Sequence, residues 1–198
     1  MPLRSEVALY LRGLWLLFLG NHTGGHYLDL TDRGMMRSFW AIVWCLPAMA
    51  ISWYWWHLNF LAQGPSGIRT GLPFFMRLAL IEIICWLIPV LLIGMLLIAF
   101  SAREKFPALV TVTNWLSVPF SYAYSVLILV AMFVPALQGL TSVLWLLLVF
   151  ALVMSFARIV RFFIRDQPLL VAAIIMTLLV PGMVISEMLQ RFLGVYPG

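Results

Sequence analysis

Five apolar stretches, at residues 38–60, 74–100, 108–134, 139–157 and 169–190, take up most of this 198-residue chain. Each is near or above the ~20 residues that a helix needs to cross a ~30 Å hydrocarbon core. Inside lipid every backbone N–H and C=O must be satisfied internally, so segments of this kind cross as helices. The expected fold class is therefore all-α: a polytopic bundle of five spans. Hydrophobic residues at 64% and charged residues at 10% agree, since soluble domains run nearer 45–50% and 25%. The spans and their connections consume the chain, which leaves no room for a separate soluble catalytic domain. Two parts are expected, a cytoplasmic N-terminal segment over 1–37 and the five-span domain over 38–198.

Within the N-terminal segment, the apolar run at 9–19 is too short to span and is interrupted by Arg12. A helical wheel gathers Ser5, Glu6, Arg12 and Gly13 on one side and Val7, Leu11, Leu14, Trp15 and Phe18 on the other. That division predicts an amphipathic helix lying in the headgroup plane. A turn-rich stretch follows over 20–34, with four glycines, two histidines and two aspartates.

Orientation follows from the basic residues. Arg4, Arg12, Arg33, Arg37, Arg103, Lys105, Arg158, Arg161 and Arg165, nine of twelve, fall on one side of the spans. The positive-inside rule puts that side, and the N-terminus, in the cytoplasm and the C-terminus outside. Trp40 and Trp44 at one end of the first span, and Trp53, Trp55 and Trp56 at the other, form two aromatic girdles consistent with this threading. Pro47, Pro89, Pro119 and Pro181 sit near the middle of four spans. Each frees a backbone carbonyl; a kink is the simpler reading, and a bundle opened at mid-depth the alternative.

One carboxylate lies well inside an apolar run: Glu82. An ionisable group there costs at least ~2.5 kcal/mol on insertion scales, which marks it as a candidate functional residue. Counting ~1.5 Å per residue from the span centres puts Glu82 ~7–8 Å outward of mid-membrane. Ser52 and Tyr54, Tyr124 and Ser125, and Ser186 and Glu187 come to comparable depth. Glu82, Tyr54, Tyr124, Ser125 and Glu187 are thus the candidate intramembrane polar cluster. Arg77 and Arg191 lie further out, able to reach inward or to snorkel. The cluster reads either as hydrogen-bonded glue, with Glu187 and Arg191 paired at i,i+4, or as an ion site. Glue is favoured because a pathway needs a second polar station toward the cytoplasm. Asn114, the residue available for that, comes out some 18 Å from Glu82 in depth on the same count and is expected to hold helices together instead.

Arg158, Arg161 and Arg165 share a helix face, placed to attract anionic lipid at ~1 kcal/mol each or simply to fix topology. His22, His26 and Asp29 have loosely metal-like spacing, but the intervening glycines remove the rigid element that would align them, so no metal is expected. No phosphate-binding loop or nucleophile motif is present, and no cofactor is expected. Cys45 and Cys85, both in apolar runs, read as free thiols. Nucleic acid is excluded as a partner, because the basic residues are distributed as topology signals.

The order of these elements, with "LDLTDRGMMRSFWA" at 28–41 and "VTNWLSVP" at 112–119, resembles a group of bacterial inner-membrane proteins similar to the Yip family of five-span membrane proteins. The resemblance singles out the Asn114–Trp115 pair. It implies five spans and an adaptor or scaffold role; the Asp-Leu-Tyr-Gly-Pro signature of the eukaryotic members is absent. The expectation is a non-enzymatic multi-pass inner-membrane protein that contacts lipid and other membrane proteins or itself, as a scaffold or accessory subunit. The alternative is a small ion-coupled transporter or channel using Glu82.

Overall fold

A computed structural model describes residues 2–63, 70–164 and 167–197. Among them there is no strand, and seven α-helices follow in order: α1 (Arg4–Phe18), α2 (Asp32–Ser38), α3 (Ala41–Gln63), α4 (Leu72–Ala99), α5 (Phe106–Phe133), α6 (Gln138–Phe163) and α7 (Pro168–Phe192). The last five are each long and apolar enough to cross a membrane. Their ends explain themselves locally. A proline in the first turn opens α4, α5 and α7, where its missing N–H is no loss. Pro47, Pro89, Pro119 and Pro181 lie inside helices without ending them. The fourth helix runs six residues beyond its expected end, because Arg158 and Arg161 continue it past the apolar block.

The bundle end that carries α1, α2 and the α4–α5 and α6–α7 connections is termed the N-face, and the opposite end the C-face. Across the bundle α3 packs on α5, α4 on α7, α5 on α6 and α6 on α7, while α4 and α5 barely meet. The molecule thus has an α4–α7 pair beside an α3–α5–α6 group. Aromatic side chains bridge α3 and α4 at the C-face, where Phe74, Leu78 and Ile81 pack with Trp53, Trp56 and Phe60.

The N-terminal helix does more than lie in the headgroup plane. Val7, Tyr10, Leu14 and Leu17 are buried in the main core with Trp115, Phe156 and Ile159. Gly13, assigned to the polar side by the helical wheel, is also buried. A Cβ on Gly13 would lie 2.8 Å from the Gly24 carbonyl oxygen, so the turn at His22–Tyr27 seats backbone against backbone on α1. Trp15, on the apolar side of the wheel, is 60% exposed and takes no part in that core. The wheel divided residues by polarity, whereas a glycine contact decides by size.

Candidate functional site

The segment that links the turn to α3 assembles first. Asp29 Oδ1 accepts from the Thr31 N–H and hydroxyl at 3.2 and 2.6 Å, and Thr31 Oγ1 accepts from the Gly34 N–H at 3.3 Å, which caps α2. Gly34 is required, because a Cβ there would lie 2.0 Å from the Asp29 carbonyl oxygen. The helix so begun directs Arg37 to the Glu6 carboxylate of α1 at 2.9 Å. Glu6 also accepts from the Leu3 N–H; that bond first, and Arg37 second, hold its pKa below the ordinary value. The next residue, Ser38, is buried and accepts from the Asn114 side-chain amide at 2.8 Å. Asn114 is itself 1% exposed, and its carbonyl oxygen accepts from the Trp86 indole N–H at 2.9 Å. One side chain therefore ties α2, α5 and α4 together. Trp115 beside it packs at a tilt against Tyr10 of α1 with ring centroids 5.1 Å apart, and burial there raises the Tyr10 pKa. Both motifs noted in the sequence meet at this junction.

The Trp86–Asn114 bond fixes the register of α4 against α5. Asn114 is level with Trp86, and Glu82 lies one turn further toward the C-face. Matching span centres had separated Glu82 from Asn114 by more than twice that. The same offset brings Ser117 and Ser121 to the cavity that Glu82 lines, with Tyr124 still near its carboxyl. Between the α4–α7 pair and the α3–α5–α6 group this leaves a cavity of about 300 Å³, with Glu82, Trp86, Asn114, Ser117 and Ser121 among its walls. Glu82 and Asn114, expected to be remote, line one cavity without touching. Cys45 of α3 approaches from behind, its Sγ 3.7 Å from Ser117 Oγ.

The remaining expected cluster members are dispersed. Trp53 and Tyr124 lie near the Glu82 carboxyl. Tyr54 is 52% exposed, with its ring against His57. Ser125 is buried and donates to the Tyr122 carbonyl of its own helix at 2.9 Å. Glu187 forms the anticipated i,i+4 pair with Arg191 at 2.8 Å, away from the cavity. Arg77 donates to the Leu193 carbonyl at 2.9 Å, and Trp56 to that of Val195 at 2.8 Å, so both hold the segment after α7. Among the described residues no basic side chain forms an ion pair with Glu82. The walls missed in the sequence were legible as a stripe: Thr113, Ser117 and Ser121 recur every four residues, facing Glu82, Trp86 and Pro89 at spacings of four and three.

Arg158 donates to the Phe18 carbonyl at 2.8 Å and lies over the Phe18 ring, so it closes the C-terminus of α1. Arg161 is exposed beside a recess of about 260 Å³ that it lines with His22. Arg165 lies outside the described residues. His22 stacks on Phe162 at 5.2 Å, and Asp29 is occupied by Thr31. Among the described residues no three His, Cys, Asp or Glu side chains are grouped to hold a metal. Cys45 and Cys85 are free.

No family model, curated protein or solved structure matches the chain. Its function must therefore be argued from this geometry.

Proposed function

We propose that the chain is a non-enzymatic scaffold or accessory subunit of a membrane protein complex, in a bacterial inner membrane with its N-terminus in the cytoplasm. The observation that carries this reading is the C-face half of α6. Residues 144–147, Leu-Trp-Leu-Leu, are all exposed, and four consecutive helical positions at 100° cover the whole circumference. From Ser142 to Met154 no residue of α6 is buried. A helix needs no neighbour to satisfy its backbone in lipid, but helices there gain stability by packing on one another. A stretch of helix exposed on all sides is a surface for a partner helix. The use of polar side chains agrees, since Asn114, Arg37, Trp56 and Arg158 all join elements of this chain. Eight basic residues on the N-face among those described, and the resemblance to five-span Yip-like proteins, support the orientation and the adaptor role.

The test is site-specific photo-crosslinking in cells, with the probe at Leu146 or Phe150 and, as control, at Leu91 on the exposed face of α4. A discrete protein adduct from the α6 positions alone, with a membrane protein co-purifying at fixed stoichiometry, is the expected result. Lipid adducts only, at every position, overturn it. A second reading, a small ion-coupled carrier, is favoured by the Glu82 cavity. It requires flux in proteoliposomes that Glu82→Gln abolishes while the variant's melting temperature holds.

A further inference from the structure

The cavity around Glu82 calls for an occupant whether the chain is a scaffold or a carrier. Glu82 is among the walls of an intramembrane space, with Trp53 and Tyr124 near its carboxyl and no ion-paired cation among the described residues. A volume of about 300 Å³ matches a small organic ligand. Two chemistries are disfavoured by what surrounds the acid. A hard metal ion wants six or more oxygen ligands, and among the described residues Glu82 belongs to no group of three His, Cys, Asp or Glu side chains. An anion would meet the carboxylate's own charge.

Access comes from the shape of the bundle. Helices α6 and α7 are packed together at the N-face, through Val160, Ile164, Leu170, Val171 and Ile174. Toward the C-face the buried positions of α7 end at Ile174, and those of α6 are absent between Ser142 and Met154. That side of the two helices is therefore the less covered one. Leu152 and Phe156 of α6, with Leu178 and Leu179 of α7, form the apolar wall of the cavity, and all but Phe156 are only partly buried. The polar end of the space holds the carboxyl, the Ser117 and Ser121 hydroxyls and the Trp86 indole face, a surface suited to an organic cation. The apolar end leads into the bilayer.

The geometry points to a binding site for a monocationic amphiphile, entered sideways between α6 and α7, with an alkylammonium head against Glu82 and its chain lying between Leu152, Phe156 and Leu179. The carboxylate supplies the counter-charge, the two hydroxyls accept from the ammonium, and the apolar walls take the chain.

Calorimetric titration of the protein in phosphatidylcholine nanodiscs tests this, with n-octylammonium and n-octanol as probes and empty nanodiscs as the partitioning baseline. One saturable octylammonium site per chain above that baseline is expected, with no such site for octanol. Glu82→Gln and the cavity-filling Ser121→Phe should each weaken octylammonium at least tenfold. Equal affinity for the two probes, a purely partitioning isotherm, or unchanged octylammonium affinity in a folded Glu82→Gln protein each overturns the proposal. The comparison of the two probes on the unaltered chain needs no variant, so misfolding of either substitution leaves the test intact. A partner cross-linked through α6 without an octylammonium site would sink this inference and leave the scaffold reading standing.

Discussion

The two halves of α6 differ as if they belonged to different proteins. On the N-face half Ser155, Phe156, Ile159 and Val160 are buried, and Arg158 closes the end of α1. On the C-face half the helix is exposed all round at 144–147. Apolar content does not account for this, since the half that carries Arg158 and Arg161 is the buried one. The difference lies in what surrounds them: α1, α2, α5 and α7 converge on the N-face, locked by Asn114, Glu6–Arg37 and the Gly13–Gly24 contact. At the C-face the group spreads. A membrane helix is thus specified twice, by lipid along its length and by its neighbours only where they reach it.

The sharpest test of that division is Ile159→Ala, at a residue with no exposure. A truncation inside a packed contact should cost about 2–3 kcal/mol, mostly as lost van der Waals contact. Reversible unfolding in mixed micelles reads it directly. A loss near zero would mean the N-face core is no tighter than the C-face.

Asn114→Leu ranks second. It strands the Trp86 indole N–H and removes the donor to Ser38, two buried bonds that together are worth about 1–2 kcal/mol in membranes. Trp86→Phe removes one partner of the same bond, so the double variant should cost less than the sum of the singles. Additive losses in that cycle would show that the bond does not couple α4 to α5.

How much of this could be read in advance differs by scale. Five spans, the N-terminal helix and the Glu187–Arg191 pair were legible, because each depends on residues close in sequence. The Glu82 surroundings were not. Depth counted from span centres carries no information on how two helices slide past each other, and a single bond, Trp86 to Asn114, sets that register. Ser117 and Ser121 were therefore not grouped with Glu82 in advance, whereas Tyr124, which was, does lie near it. The role of Arg37 was hidden for another reason: its partner Glu6 is remote in sequence, and only the turn seated on Gly13 brings them together.

A smaller effect is expected at the edge of the N-face, where Glu6 anchors α1. Its pKa in the folded protein lies below the ordinary value of 4.5, through the Leu3 N–H and Arg37. The carboxylate is thus the form that folding favours. Its contribution is fully present above that ordinary value and is lost as pH falls through the lower, folded one. Hydrogen-exchange protection at the amides of 7–14, taken relative to the intrinsic rate at each pH, should fall on acidification over that window. In Glu6→Gln protection should be lower at neutral pH and flat across the same range. If the unaltered protein shows no acid step, α1 is held by Val7, Tyr10 and Leu14 alone.

The smallest effect carries the comparison's other half. Leu146 is 64% exposed on the free part of α6. In lipid, trading leucine for alanine there removes contacts with acyl chains that other acyl chains replace, so Leu146→Ala should change the isolated protein's stability by no more than about 0.5 kcal/mol. Ile159, four turns along the same helix, gives the contrasting value in the same assay. If the partner proposed for α6 is present, the indifference of Leu146 should disappear. Co-purification of that partner should fall in Leu146→Ala although the chain alone unfolds as before. A variant silent both alone and in the complex would leave that half of α6 to lipid, and a variant costly even in isolation would show that the bundle closes further than its helices indicate.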